Sequence, residues 1–435
     1  MTKSTTHRGV RRGVAVAASG MLLLLFLVAT ACSSAEPTPT DVPTVDTSPP
    51  VAASSPPAQS LAPGPPPAPT VEPTPRPSQL TGTRLAPELA DTGEWINSGP
   101  FTLSEQTDKG KVVLVDFWTY TCINCIRTMP YLRDWYDKYR DKGLVILGVH
   151  TPEFEFEKVL DNVTDAVESF GLEYPIVQDN DFGTWNAFNN RAWPAKYLID
   201  VNRTVRYTHF GEGAYDETEA AIRELLVEAR YDLEGIPLGT DPGPEISQGA
   251  LEASPGMGHT RELYAGTQRN YNALVSSQVP PYVRHTEYYE DQDVEIRYSD
   301  PGNHDNHYMY LEGLWFNGEE NLVHARATTD FEDYIVIQFY STSVNGVMTP
   351  TSGAAYRVRV TLDGQPVPAD RAGIDIRYDE ENQSYVEVDE ARMYFLISQT
   401  MVGGGELKLS SNSPDFALFA FTFGSYEGGE PGSES

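Results

Sequence analysis

The stretch TCINC, residues 121–125, holds two of the chain's three cysteines, with only Ile123 and Asn124 between them. It stands where the hydrophobic period changes. Before it, KVVLVDFWTY (111–120) is a run of β-branched and aromatic residues, the pattern of a buried strand. After it, Met129, Leu132, Trp135, Tyr136 and Tyr139 fall on one helical stripe, and Gly143 supplies a stop. Cys122 therefore falls where the first N–H groups of a helix point outward without partners. The helix dipole favours negative charge there, and with it the thiolate, which is the attacking form of a cysteine. Cys125, one turn deeper on the same face, is within reach of the first sulfur. Such a pair can open and close a disulfide with little backbone movement: attack on a partner's disulfide gives a mixed disulfide, and the second thiol resolves it.

Other readings of the pair compete. One is a structural disulfide in a secreted protein. Another is a zinc or copper site, although no second cysteine pair is present to complete a four-sulfur shell. The last is two unrelated buried thiols.

Around this junction, LVILGVH (144–150) reads as a second strand, residues 156–171 as a helix, YPIVQD as a strand and DFGTWNAFN as a short helix. AKYLIDV and TVRYTHFG read as a hairpin turning near Asn202. DETEAAIRELLVEAR closes the region as an amphipathic helix with Asp216 or Thr218 near its start. Strands alternating with helices predict a layered α/β domain over 85–232.

These segments, in order, resemble a thioredoxin fold of the TlpA-like, redoxin-type branch, and in particular the DipZ type. The likeness is carried by VDFWTYTCINC followed by MP, GVHTPEFEFEK, YPIVQDN, WPAKYLID and FGEGAYDETE. The resemblance implies that Cys122 is the nucleophile and Cys125 the resolving thiol. It implies that Asp116 is the buried acid that moves the resolving cysteine's proton, with desolvation raising its pKa. It makes Pro194 the cis proline and Trp193 the residue whose backbone pairs with substrate. It implies no cofactor beyond a Cys122–Cys125 redox disulfide, and no metal. There are departures from the pattern: Thr121 stands where tryptophan is common, Thr128 where glutamate is common, and no proline separates the cysteines. DipZ-type proteins carry a membrane-embedded electron-transfer half that this sequence lacks. The expected electron partner is thus a separate membrane protein of CcdA-like type. His150, after the second strand, reads as a packed strand-end histidine, with proton movement or metal binding beside the cysteines as the sharper alternative.

After a Gly/Pro/Ser connector (233–260), helical periodicity fades. EDYIVIQFYS, YRVRVTLDGQPV, SYVEVD, ARMYFLIS, GELKLSS and FALFAFTFG are short alternating or aromatic runs, and Asp363-Gly364 is a hairpin signal. They predict an all-β sandwich of jelly-roll type over 261–427, followed by a disordered tail, 428–435. The region resembles the carbohydrate-binding-module-like domain that follows thioredoxin in the DipZ type, and this makes cell-wall carbohydrate a candidate partner. Tyr308, Tyr310, Trp315 and Phe316 could stack on sugar rings, but residues of this kind more often form sandwich core. DPGNHDNH (300–307) is an Asx-rich loop by default, with a metal site as the alternative.

The chain's 435 residues carry a formal net charge of -31, which argues against nucleic acid as a partner and suits a self-repelling surface outside the cytoplasm. Arg8, Arg11 and Arg12 precede the apolar run 14–31, as in a secretory signal. ATAC (29–32) resembles the lipobox of bacterial lipoproteins, which implies cleavage after residue 31 and a lipid on Cys32. The Pro-rich stretch 32–84 is an extended tether, about 100 Å long if its roughly 45 spacer residues each rise ~3 Å. The expected protein is a lipid-anchored, extracytoplasmic thiol–disulfide oxidoreductase acting on exported protein thiols and disulfides, cytochrome c precursors among them. A redoxin-type thiol peroxidase and a non-enzymatic copper or haem-thiol delivery module are the alternatives.

Overall fold

The computed structural model describes residues 80, 82–239, 259–275 and 280–424. The signal segment, Cys32, nearly all of the tether, most of the 233–260 linker and the tail lie outside the described residues.

The first part of the chain forms a layered α/β domain. Its elements are β1 (Arg84–Leu85), β2 (Trp95–Ile96), α1 (Leu103–Asp108), β3 (Val112–Trp118), α2 (Ile123–Tyr139), β4 (Leu144–His150), α3 (Leu160–Ser169), β5 (Ile176–Gln178), α4 (Gly183–Phe188), β6 (Ala195–Ile199), β7 (Thr204–Phe210) and α5 (Tyr215–Glu228). The seven strands lie in the order β1-β7-β6-β3-β4-β5-β2. β3, β4 and β5 are parallel, β6 runs antiparallel to β3, and β7 runs antiparallel to β6. This is a thioredoxin-like fold. All seven residues of β3 are buried, because both faces of the sheet are covered. Val112, Leu114 and Trp118 join the α2 and α5 cluster, and Val113, Val115 and Phe117 join the cluster on the other face with Leu103 and Phe188. By the same alternation Asp116 falls on the α2 side, in a place otherwise held by apolar residues.

One local reading is corrected. Residues 156–171 are not one helix: a 3-10 turn, Glu155–Lys158, precedes α3, and Val159 between them is extended. Glu157 folds its carboxylate back onto the N–H groups of Glu153 and Phe154, and this local bonding competes with helix continuation. Helix α5 starts at Tyr215, after Ala214 at φ 50, so Asp216 and Thr218 lie near its start, as expected. Thr218 Oγ1 donates to the Ala214 carbonyl. The Tyr215 ring stacks on Tyr131 of α2 at 3.5 Å.

The second part is a large antiparallel β domain. Its elements are β8 (Leu263–Tyr264), α6 (Thr267–Val275), β9 (Glu295–Tyr298), β10 (Met309–Asn317), β11 (Leu322–His324), β12 (Tyr334–Pro350), β13 (Tyr356–Leu362), β14 (Gln365–Pro366), β15 (Arg377–Tyr378), β16 (Ser384–Val388), β17 (Arg392–Ser411) and β18 (Phe416–Gly424). The sandwich layers are continuous through two long strands. β12 pairs with β10 in its first half, with β18 in its second and with β17 throughout. Register shifts at Ser341/Ser343 and Val344/Asn345 let it bend. Asp363 and Gly364, both at positive φ, turn β13 into β14 as a hairpin. The sequence reading missed α6.

Tyr310 and Trp315 are 2% and 0% exposed and serve as core, while Tyr308 packs under the guanidinium of Arg284. The 300–307 loop is organised by His304, whose two ring nitrogens lie 2.7 Å from Asp300 and 2.8 Å from Glu406.

Candidate functional site

The two cysteines stand at the junction the sequence predicts. β3 ends at Trp118, the chain turns through Thr119–Thr121, and α2 begins at Ile123 with Cys122 as its N-cap. The backbone N–H of Cys125 donates to the Cys122 sulfur at 3.3 Å, so that sulfur fills the role usually taken by a serine or aspartate oxygen at a helix start. The two are free thiols of different accessibility: Cys122 is half-buried and Cys125 is fully buried. Burial pushes the Cys125 thiol well up, and the Cys122 sulfur and the charge of Asp116 push it further.

Asp116 is 1% exposed and faces Lys196, which is fully buried, on β6. Lys196 Nζ lies 3.2 Å from Asp116 Oδ1. Burial pushes the Asp116 carboxyl up, against the pull of Lys196. The Trp193–Pro194 peptide bond is cis. Pro194 is buried at the start of β6. Trp193 is half-buried, packs against Trp185 at 4.3 Å and donates its indole N–H to the Thr151 carbonyl.

The departures from the expected pattern have partners of their own. Thr121 donates to the Glu157 carboxylate at 2.5 Å, and Thr128 donates to the Cys125 carbonyl at 2.8 Å. His150 is buried edge-on to Trp118 and stacked on Tyr120. Burial lowers its pKa to about 3, so it packs as a neutral ring. Among the described residues no group of three or more His, Cys, Asp or Glu side chains is arranged to hold a metal ion.

Sequence reasoning missed the second domain's share in this site. Cys122 opens into a cavity of about 60 Å³ that Trp193 and Glu153 share with Glu262, Tyr264 and Ala420 of the β domain. Burial pushes both Glu153, to about 7, and Glu262 upward. The only sequence signal was the odd placement of acids in aromatic surroundings, in TPEFEFEK and RELYAG.

Comparison with known proteins places both domains. Residues 85–208 match the AhpC/TSA family, and residues 260–424 match the thioredoxin like C-terminal domain. The thiol-disulfide oxidoreductase YkuV of Bacillus subtilis is 30% identical over 142 residues, which are 33% of this chain and 94% of YkuV. This chain belongs to the thioredoxin-like, redoxin-type family. Another relative within it, Protein DipZ of Mycobacterium tuberculosis, is 42% identical over 200 residues, 45% of this chain. The matched part is 27% of DipZ, so the chain spans about a quarter of that relative. The thiol-disulfide oxidoreductase ResA of Geobacillus kaustophilus is 33% identical over 117 residues, 27% of this chain and 64% of ResA. In this thioredoxin-like chain, the residues expected to act are gathered around one helix start: Cys122, Cys125, Asp116 and Trp193-Pro194.

Proposed function

We propose that this protein is a thiol–disulfide oxidoreductase working outside the cytoplasmic membrane, held there by a lipid on Cys32, and acting on exported protein thiols and disulfides through Cys122 and Cys125. The observation that carries the reading is the unequal pair at the start of α2: a half-buried sulfur that accepts a helix N–H, above a fully buried thiol one turn deeper. The basic start, the apolar run and ATAC support the location.

In the reductive direction the Cys122 thiolate attacks one sulfur of the substrate disulfide. That S–S bond breaks, a mixed disulfide forms, and the released substrate thiolate takes a proton from water. Cys125 then loses its proton to the Asp116 carboxylate and attacks the Cys122 sulfur. The mixed disulfide breaks and the second substrate thiolate leaves. Two electrons pass to the substrate, and the enzyme is left as the Cys122–Cys125 disulfide, to be reduced again by a dithiol partner. A separate membrane protein of CcdA-like type fits that need. The oxidative direction runs the same steps backwards. Residues 192–194 would align the substrate strand, with the backbone of Trp193 beside the sulfurs.

Insulin reduction tests the reading. Cys122→Ser should abolish turnover, Cys125→Ser should accumulate a mixed disulfide, and Asp116→Asn should slow resolution by about 10²-fold or more while sparing the first step. Full turnover in Cys122→Ser would sink it. Peroxide consumption and copper titration separate the peroxidase and metal-delivery readings. A reduction potential near about −270 mV would mark a reductant and one near about −120 mV an oxidant.

A further inference from the structure

The face of the thioredoxin-like domain that carries Cys122 is covered by the β domain. Phe419 of β18 meets Phe154 and Phe156 edge-on, at ring distances of 5.2 and 4.8 Å. Tyr120 donates its hydroxyl to the Ala391 carbonyl at 3.0 Å, and Arg127 reaches the Phe423 carbonyl at 3.4 Å. Arg269 of α6 pairs with Glu153 at 2.6 Å, and the Glu155 N–H donates to the Glu320 carboxylate at 3.0 Å. The apolar cluster around α2 runs on without a break into Val347, Met393, Ala417, Phe419 and Ala420. What remains at the nucleophile is the 60 Å³ cavity, room for a handful of waters and none for a polypeptide carrying a disulfide.

The covering element is itself informative. β18 is extended chain, paired at Ala420 with Tyr264; it sets the Phe419 ring against Phe154 and Phe156 and brings Ala420, with Phe154, to the cavity at Cys122. A not-yet-folded exported polypeptide has the same chemistry: extended backbone with exposed aromatic side chains. We propose that β18 is a built-in occupant of the surface on which an extended, aromatic-bearing segment of a disulfide-containing polypeptide docks, so that the β domain and the protein substrate compete for it.

This rests on the thiol–disulfide reading above. Substrate binds only the parted form, so its apparent affinity is reduced by the fraction of molecules in that form. The Arg269–Glu153 pair joins a partly exposed guanidinium to a largely buried carboxylate, 41% and 12% exposed in their side chains. It fixes how the domains seat, while the Phe419 contacts hold them. A small disulfide that enters without parting the domains escapes the competition.

The test uses the full chain with insulin and with bis(2-hydroxyethyl) disulfide. Phe419→Ala and Arg269→Ala should lower the KM for insulin by about threefold or more and leave the rate with the small disulfide within twofold. Equal changes with both probes, or an unchanged insulin KM in folded variants, overturn the competition and leave the redox reading standing. Inactivity of the wild type with both probes overturns the redox reading itself. A second measurement does not depend on how Phe419→Ala and Arg269→Ala fold. In Cys125→Ser, a Phe-containing peptide whose cysteine is activated as a disulfide with thionitrobenzoate is attacked by Cys122, which releases thionitrobenzoate and leaves the peptide as a mixed disulfide on Cys122. Amide exchange in Phe416–Gly424 should rise over that of the same variant without peptide; unchanged exchange also overturns the proposal.

Discussion

Asp116 and Lys196 face each other across the paired strands β3 and β6, with 3.2 Å between carboxylate and ammonium and neither side chain reaching solvent. Removing the lysine leaves a buried acid alone beside the resolving thiol. Lys196→Met should therefore destabilise the protein by about 3 kcal/mol at pH 8. Asp116 already has a folded pKa above its unfolded value. A group shifted that way contributes stability below the unfolded pKa and loses it as pH rises through the folded one. The variant pushes the carboxyl further up, so its deficit should shrink below pH 5. Denaturant unfolding at the two pH values checks this; an equal deficit at both would contradict it.

Glu153 supplies a second pH dependence. Burial raises it to about 7, and the nearby charges of Glu262 and Glu157 add to the rise while Arg269 opposes it. The folded state holds this proton more tightly than the unfolded chain does. Its stabilisation is complete below about pH 4.5 and is lost as pH passes 7. Glu153→Gln should flatten the fall in stability between pH 5 and pH 8 by on the order of 1 kcal/mol, seen as a smaller shift in Tm. A wild-type slope in the variant would count against the burial of this acid under the β domain.

His304 bridges Asp300 and Glu406, and these two acids raise its pKa against the lowering effect of burial. The bridge stabilises fully below the unfolded pKa near 6.5 and fades as pH rises through the higher folded value. His304→Gln should cost about 1 kcal/mol at pH 6 and less at pH 9. NMR titration of the imidazole tests the cause directly: a pKa below 6.5 would remove it.

Gly143 ends the turn after α2 at φ 92, and a Cβ there would lie 2.2 Å from the Tyr231 ring. The ring cannot swing away freely, because its hydroxyl donates to the Gly110 carbonyl. Gly143→Ala should cost about 2 kcal/mol or more through strain and clash together. Thermal unfolding within a degree of wild type would disprove this.

The legible parts of the molecule were those whose causes are local in sequence. The period change at Cys122, the stop at Gly143 and the turn at Asp363-Gly364 each depend on a few neighbouring residues, and each stands where expected. Asp116 was readable as buried only through the family resemblance, since an exposed strand-end carboxylate fits the same residues. Lys196 was not, because its partner lies 80 positions earlier and AKYLID alone gives no reason for a buried cation. Glu157 sits in a run that scans as helix, and its inward turn rests on the Glu153 and Phe154 N–H groups together with Thr121, which only the fold brings close. The covering of Cys122 was hidden for a related reason. Phe419 and Ala420 lie in a strand that is apolar on both faces over Phe416–Phe421, and sequence cannot say which of its faces meets its own sandwich and which meets another domain.

The sulfur that begins α2 has one more consequence. In the dithiol form it can accept the Cys125 amide as a charged atom; once joined to its neighbour it can offer that amide only a neutral acceptor. The helix start is therefore better satisfied when the pair holds its two electrons than when it has given them up. Any change that strengthens this contact makes the protein a more willing taker of electrons, and any change that weakens it makes the protein a more willing giver.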